Sequence, residues 1–375
     1  MIQVIEADTR KRQKEFLNFP IQLYKDNPCF VAPLWSDEKK IFDKDYLYLE
    51  TCEAVYYNAY RDGVIVGRIS GILQKASNEK TGENRVRFTR FDCIEDFEVA
   101  SALFAAVEAW ARSKNMDTVC GPLGFSDLER EGLLIEGFDQ ISTFEEQYNA
   151  PYYQEFIERL GYAKEVDWNE YRIYPPSKES EDEMKTVADF VMKRYKLRIG
   201  PARNARDFLR KYMDGFFDVL DKSYENIYGT VPFTAKMKKL MISNFMLIID
   251  TKHVVVILDE NDNVILMGIC FPSLAKTMQI AGGRLTPRAI VSYIKARLRP
   301  EVIDLGLVGV DPAWANKGVV AIVAAGLADM LRKKGTKYAE TNLNLEDNYA
   351  IQNIWKRFES VRHKRRRAYV KKLDD

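Results

Sequence analysis

The chain has 375 residues, 46% hydrophobic and 30% charged, a composition that fits a folded globular protein and excludes a disordered or collagen-like one. Its 56 basic residues balance 55 acidic ones, so overall charge singles out neither nucleic acid nor an anionic surface as a partner. The five cysteines (Cys29, Cys52, Cys93, Cys120, Cys270) never form a C-x-x-C pair and the only histidines are His253 and His363, which argues against a disulfide framework, a zinc site or a histidine-based nucleophile.

From the N-terminus onward, Met1–Arg10 has no signal-like apolar core and no later run is long enough to span a bilayer, so a cytoplasmic protein with no membrane partner is expected. Ala54–Leu73 is predicted to be a β-hairpin about an Asp-Gly turn, followed by a strand at Val86–Asp92 and a helix at Phe97–Asn115. A short strand at Thr118–Cys120, a long loop, a helix at Tyr152–Leu160 and a strand at Trp168–Tyr174 follow. Tyr174-Pro-Pro-Ser-Lys-Glu-Ser-Glu-Asp-Glu-Met184 reads as a polar break.

Beyond it, helices are predicted near Met184–Tyr195, Ala205–Ser223 and Thr234–Ile248. A second hairpin turns at Asn261–Asn263. A strand at Val302–Val310, a helix at Val319–Lys334, a strand at Tyr338–Asn342, a helix at Tyr349–Phe358 and a strand at Lys364–Lys371 complete the chain. The order hairpin, strand, helix, strand, helix, strand thus occurs twice. Gly67 with Gly268 and Asn149 with Asn348 are landmarks about 200 residues apart. The expected architecture is α/β (α+β), with domains at 1–175 and 176–375.

The run VIDLGLVGV meets the turn Asp311-Pro-Ala-Trp-Ala-Asn-Lys-Gly318 and then an apolar helix. Backbone N–H groups left unpaired at such a helix start, beside the positive end of its dipole, suit a phosphate. Gly309-Val-Asp-Pro312, Lys317-Gly318, the helix and the strand leading to Glu346-Asp-Asn348 resemble the acyl-CoA-binding core of the GNAT acyltransferase superfamily. The whole chain also resembles a bacterial family of tandem GNAT-like proteins, through FSDLEREGLLIEGFD, YNAPYYQEFIERLGYAKEVDWNEYRI, PSLAK and WKRFESVRHKRRR. The resemblance implies two tandem GNAT-like domains, each a mixed, mainly antiparallel sheet flanked by helices, and transfer of an acyl group from acetyl-CoA or another acyl-CoA to an amine.

Residue by residue, the resemblance assigns the pantetheine arm to Gly309 and Val310. It assigns the pyrophosphate to Asn316, Lys317, Gly318, Val319 and Val320, and the conserved asparagine position of the superfamily falls on Asn348. The turn departs from the superfamily pattern at Ala315 and Val320, and Trp355 stands where a proton-donating tyrosine is usual, leaving Tyr349 as the substitute. In the first half Cys93-Ile-Glu-Asp96 occupies the turn position, with no glycine and two acids that repel a pyrophosphate, so that half is expected to shape an acceptor pocket at the junction of the domains.

The acidic loop at 121–148 holds Asp127, Glu129, Glu131, Glu136 and Asp139 among glycines and aromatics, as a loop closing over a small cationic acceptor would. Glu131 and Asp127 are the candidate bases; Glu136, Tyr148, Tyr152, Lys276 and Arg284 are candidate acceptor contacts; no metal is called for. Two other readings fit the same residues: a non-catalytic small-molecule-binding protein of this fold, and nucleic-acid binding by the basic Lys356–Lys372 segment. The balanced charge of the chain and the lack of a stacking pattern argue against the latter.

Overall fold

A computed structural model describes residues 1–225 and 227–374. The chain packs into two compact units. One consists of Met1–Asn169, Leu274–Ile294 and His363–Asp375, the other of Glu170–Ser273 and Lys295–Arg362. Neither is a contiguous half, since the first recruits two segments from beyond residue 175.

The first unit runs through β1 (Ile2–Glu6), α1 (Arg10–Leu23), α2 (Trp35–Glu38), β2 (Cys52–Arg61), β3 (Val64–Gln74), α3 (Lys75–Thr81), β4 (Arg85–Cys93) and α4 (Phe97–Ser113). It continues through β5 (Thr118–Gly121), β6 (Leu133–Glu136) and α5 (Tyr153–Arg159), and the chain leaves it within β7 (Ala163–Ile173). Strands β1 to β4 pair antiparallel in order, and β5 adds parallel to β4. Near the end of the chain, Tyr369–Lys372 pair with β5 and Arg365–Arg367 with β6.

The β2–β3 hairpin closes on Asp62-Gly63, both left-handed (φ 51° and 77°), the backbone that a two-residue turn between twisted strands requires. Asp96 caps α4 by accepting the Glu98 N–H at 2.9 Å. Helical spacing then buries Val99, Leu103, Phe104 and Val107 on the sheet, where Phe104 meets Phe88 and Phe91, both with ring centroids at 4.9 Å.

The second unit takes up the chain with α6 (Lys178–Arg194), β8 (Arg198–Ile199), α7 (Ala205–Ser223), α8 (Ala235–Ile248), β9 (Val254–Leu258) and β10 (Val264–Pro272). Helices α9 (Ala275–Ala281) and most of α10 (Pro287–Leu298) return to the first unit. Then come β11 (Val302–Val310), a 3-10 turn at Pro312–Lys317, α11 (Val320–Leu331), β12 (Tyr338–Thr341), β13 (Asn344–Leu345), α12 (Tyr349–Trp355) and β14 (Ser360–Lys372). Here β8, β9, β10 and β11 pair antiparallel, β12 adds parallel to β11, and Arg172–Ile173 of β7 close the far side of β12.

Helix α7 buries Phe208, Leu209, Met213, Phe216, Phe217 and Leu220. It lies so close to β10 that a Cβ on Gly215 would stand 2.7 Å from Val264 Cγ2. The polar break is a helix start: Ser177 accepts the Ser180 N–H at 3.1 Å and opens α6. In each unit the strands pair in a mixed, mainly antiparallel pattern flanked by helices, as expected.

Candidate functional site

In the second unit β11 and β12 part company. Their parallel register runs from Val302↔Tyr338 to Leu305↔Thr341 and stops, while on its other edge β11 stays paired with β10 through Val310. The parting coincides with a bulge: Ile269 faces Leu307 and Cys270 faces Leu305, so Gly306 is the extra residue. A bulge increases local twist and turns the strand end away from its neighbour. Gly306–Val310 therefore run beyond the last β12 partner and lead into the turn.

That turn is held open at both ends. Asp311 accepts the Ala313 N–H at 2.9 Å and pairs with Lys222 at 3.0 Å, so its negative charge is neutralised where the turn begins. Gly318 is left-handed (φ 75°), and the nearest atom to a Cβ built there is Val191 Cγ2 at 3.5 Å. Helix α11 follows with no side-chain cap at Val319; Ala321 and Ile322 donate their N–H groups to the Gly318 and Val319 carbonyls, each at 3.0 Å, and the positive end of the helix dipole lies at the turn. The Lys317 ammonium lies 3.9 Å from the centre of the Trp314 ring. An open cavity of about 700 Å³ adjoins the first half of the turn, lined in part by Lys211, Tyr212, Val219, Lys222, Asp311 and Trp314.

Gly309, Val310, Asn316, Lys317, Gly318, Val319 and Val320 are thus gathered at one strand end and one turn. Gly309 is covered by α7: a Cβ there would meet Val219 Cγ1 at 3.1 Å and Ser223 Oγ at 3.2 Å. Tyr224 donates its hydroxyl to the Val308 carbonyl at 3.1 Å. Asn348 caps α12, accepting the Ile351 N–H at 3.3 Å, and Tyr349 is 68% exposed. Trp355 is buried and donates its indole N–H to Asn344 at 2.7 Å.

The first unit repeats the geometry and seals it. Strands β4 and β5 are in register from Arg85↔Thr118 to Arg87↔Cys120, and β4 bulges near Arg90, whose φ is 50°. At the strand end, however, the Cys93 N–H donates to the Tyr153 hydroxyl at 2.7 Å, and the Cys93 carbonyl accepts from Tyr152 at 2.8 Å and Tyr153 at 3.0 Å. Behind them, Tyr24 lies 2.9 Å from the Tyr153 hydroxyl and donates to Asp92 at 3.0 Å; Asp92 in turn pairs with Arg68 at 2.8 Å. Arg68, Asp92, Arg130, Gln147 and Tyr148 border a cavity of only about 10 Å³, room for about one water.

The acidic loop is largely satisfied from within. Glu129 accepts from the Phe125 N–H and the Tyr46 hydroxyl, each at 3.1 Å, and Glu136 pairs with Arg365 at 3.3 Å. Glu131 differs: it is buried, and its Oε1 has no hydrogen-bond partner among the described residues. Burial, helped by nearby Asp127, pushes its pKa well above the usual carboxylate range, which favours the neutral acid. A carboxyl so held is equipped to give a proton, whereas the base expected at this position must first lose one.

Tyr148 accepts from the Asn27 side-chain amide at 2.8 Å, and Lys276 and Arg284 are exposed. Asn149, the landmark paired with Asn348 in sequence, bridges to β6, accepting the Leu134 N–H at 2.7 Å. Sequence reasoning missed Arg68, Asp92, Tyr24 and the trio Glu38, Arg90 and Arg130. For Arg68, Arg90 and Asp92 the signal was a charge inside an otherwise apolar strand, as in VIVGRISGIL and VRFTRFDC. Glu38 contacts Arg90 at 3.1 Å and Arg130 at 3.4 Å. Burial alone would raise its pKa; the two guanidiniums override it and bring it down to about 2.

No family model matches the chain. It is 25% identical over 373 residues to protein YghO of Escherichia coli K12, covering 96% of this chain and 93% of that one. It is 24% identical over 400 residues to the bacterial ceramide synthase of Caulobacter vibrioides, covering 99% and 98%. Among solved structures, a tandem GNAT protein from the clavulanic acid biosynthesis pathway superposes with a TM-score of 0.55 at 11% identity, over 100% of this chain and 99% of that one. The GCN5-related glucosamine N-acetyltransferase region of a fungal multi-domain β-N-acetylglucosaminidase gives 0.55 at 12% identity, over 99% of this chain and 38% of that one. The fold is that of GCN5-related N-acetyltransferases in tandem. No helix among the described residues is long and apolar enough to cross a membrane.

Proposed function

We propose that this protein is an acyl-CoA-dependent N-acyltransferase, with the cofactor held by the second unit and a long-chain amine as acceptor. One observation carries the first part: β11 runs past its last β12 partner into a turn that closes on left-handed Gly318, before a helix with no side-chain cap. A pantetheine arm is an amide chain that can pair with such a strand end, and a pyrophosphate suits the N–H groups at the helix start. In this reading Gly309 and Val310 take the arm, Asn316 to Val320 take the phosphates, and Lys317 supplies the nearby positive charge. Asn348 fixes the helix that flanks β12.

The acceptor class rests on the similarity to a bacterial ceramide synthase along nearly the full length of both chains. A ceramide is the amide of a fatty acid with a long-chain amino alcohol. In direct transfer the neutral amine nitrogen attacks the thioester carbonyl, the C–S bond breaks, the extra proton on nitrogen passes to solvent water, and the departing thiolate takes a proton back from solvent to leave as the free thiol. A backbone N–H near Val310 polarises the carbonyl.

Thermal unfolding with CoA, acetyl-CoA and palmitoyl-CoA tests binding, since a ligand at about 100 times its Kd stabilises by about 2.7 kcal/mol. Release of free thiol from the thioester on addition of a long-chain amino alcohol tests transfer. Stabilisation together with amine-dependent release supports the proposal. Stabilisation without release favours a binding protein, and no shift at millimolar CoA rejects the cofactor assignment.

A further inference from the structure

We propose that the outer face of α10 docks the protein onto a lipid bilayer carrying anionic headgroups. The inference stands on this helix and its anchorage, independent of the acyl-transfer reading. Large apolar side chains here face outward: Ile290 is 50% exposed, Val291 67%, Ile294 49% and Leu298 75%. At 3.6 residues per turn they fall within an arc of about 100°. Ala289, on the opposite side, is 1% exposed. Leu285 and Ile280, in the segment leading into the helix, add two more exposed apolar side chains at 75% and 53%.

The charge around this stripe is one-sided. From Ala275 to Pro300 the chain has six cations (Lys276, Arg284, Arg288, Lys295, Arg297, Arg299) and no acid, although the whole chain is balanced. On the helical wheel Arg297 borders one edge of the stripe, and Lys295 and Arg288 the other. Long cationic side chains beside an apolar strip can bury their stems with it and keep their charges at the headgroup level. A second copy of this face would bring like charges together, whereas an anionic bilayer complements both the charge and the apolar stripe.

The first unit holds the neighbouring elements in place. Thr277 and Ser292 join α9 to α10 at 2.9 Å, Gln279 donates to the carbonyls of Pro28 (2.7 Å) and Phe30 (3.1 Å), and the Trp35 N–H donates to the Gly283 carbonyl at 2.8 Å. Gly283 is left-handed (φ 76°), and a Cβ there would stand 2.4 Å from the Pro33 carbonyl oxygen. The expectation of no membrane partner rests on the lack of a bilayer-spanning run, and a helix lying on the surface needs no spanning length.

Co-sedimentation of the full-length protein with vesicles of phosphatidylcholine alone, and of phosphatidylcholine with phosphatidylglycerol, provides the test. Binding to the anionic vesicles is expected, weakened about tenfold by half-molar salt, by Arg288→Glu with Lys295→Glu, or by Ile290→Asp with Ile294→Asp. These side chains lie outside the core, so the variants should unfold at the parent midpoint. Three outcomes overturn the proposal: no binding to anionic vesicles; binding that neither double variant weakens; or a concentration-dependent dimer, seen by sedimentation velocity and abolished by Ile290→Asp with Ile294→Asp.

Discussion

The ends of β4 and β11 are the same backbone device finished in two ways. Each strand bulges, each leaves its parallel neighbour, and each runs toward the start of a helix. At β4 the protein supplies its own partners: the Tyr152 and Tyr153 hydroxyls satisfy both backbone groups of Cys93, and Tyr24, Asp92 and Arg68 extend the network inward. At β11 the turn carries a left-handed glycine instead of two acids, and Tyr349, first residue of the helix that matches α5, points to solvent. The first residue of the short helix thus differs between the two units: Tyr153 pairs with its strand end, whereas Tyr349 is exposed. Buried amides must be paired, and the partner can be a tyrosine or a substrate.

The largest expected effect concerns Glu131, whose buried Oε1 has no hydrogen-bond partner among the described residues. Glu131 has its pKa raised by burial, so the native state keeps a proton that the unfolded chain releases above about pH 4.3, and stability falls as pH rises through that window. Glu131→Gln should remove the slope and stabilise the protein at pH 7 relative to pH 4, measured by urea unfolding across pH. A parent curve with no such slope would contradict the assignment of a neutral Glu131.

On the open side, Gly318→Val forces a β-branched residue into a left-handed turn and crowds the phosphate approach. CoA affinity by calorimetry should fall about a hundredfold, equivalent to about 2.7 kcal/mol. The converse substitution is Tyr153→Phe, which strips the Cys93 N–H of its partner. It should cost about 2 kcal/mol in denaturant unfolding while leaving CoA affinity unchanged. A change in CoA affinity instead would mean that the two strand ends are not independent.

The smallest effect is at acid pH. The pKa of Glu38 is depressed to about 2, so its contribution is fully present above about pH 4.3 and is lost as pH falls toward 2. Glu38→Gln should flatten that limb of the stability curve, read from unfolding midpoints between pH 2 and 5.

Much of this fold was written locally. Asp62-Gly63 set the first hairpin, the apolar spacing of Phe97–Ser113 and Ala205–Ser223 set the helices that cover the sheets, and VIDLGLVGV followed by Asn316-Lys317-Gly318 marked the open strand end. These signals survive because turns, caps and amphipathic periods act over a few residues. The seal at Cys93 was not legible. Tyr153 is 60 residues away in sequence, and nothing in its helical spacing says that its hydroxyl meets that amide. Nor could the sequence show that Arg365–Lys372 would complete the first unit's sheet, or that the apolar residues of α10, which look like any core stripe, would remain uncovered. A periodic pattern determines which side chains share a face; what lies against that face depends on long-range packing, and only the tertiary structure supplies it.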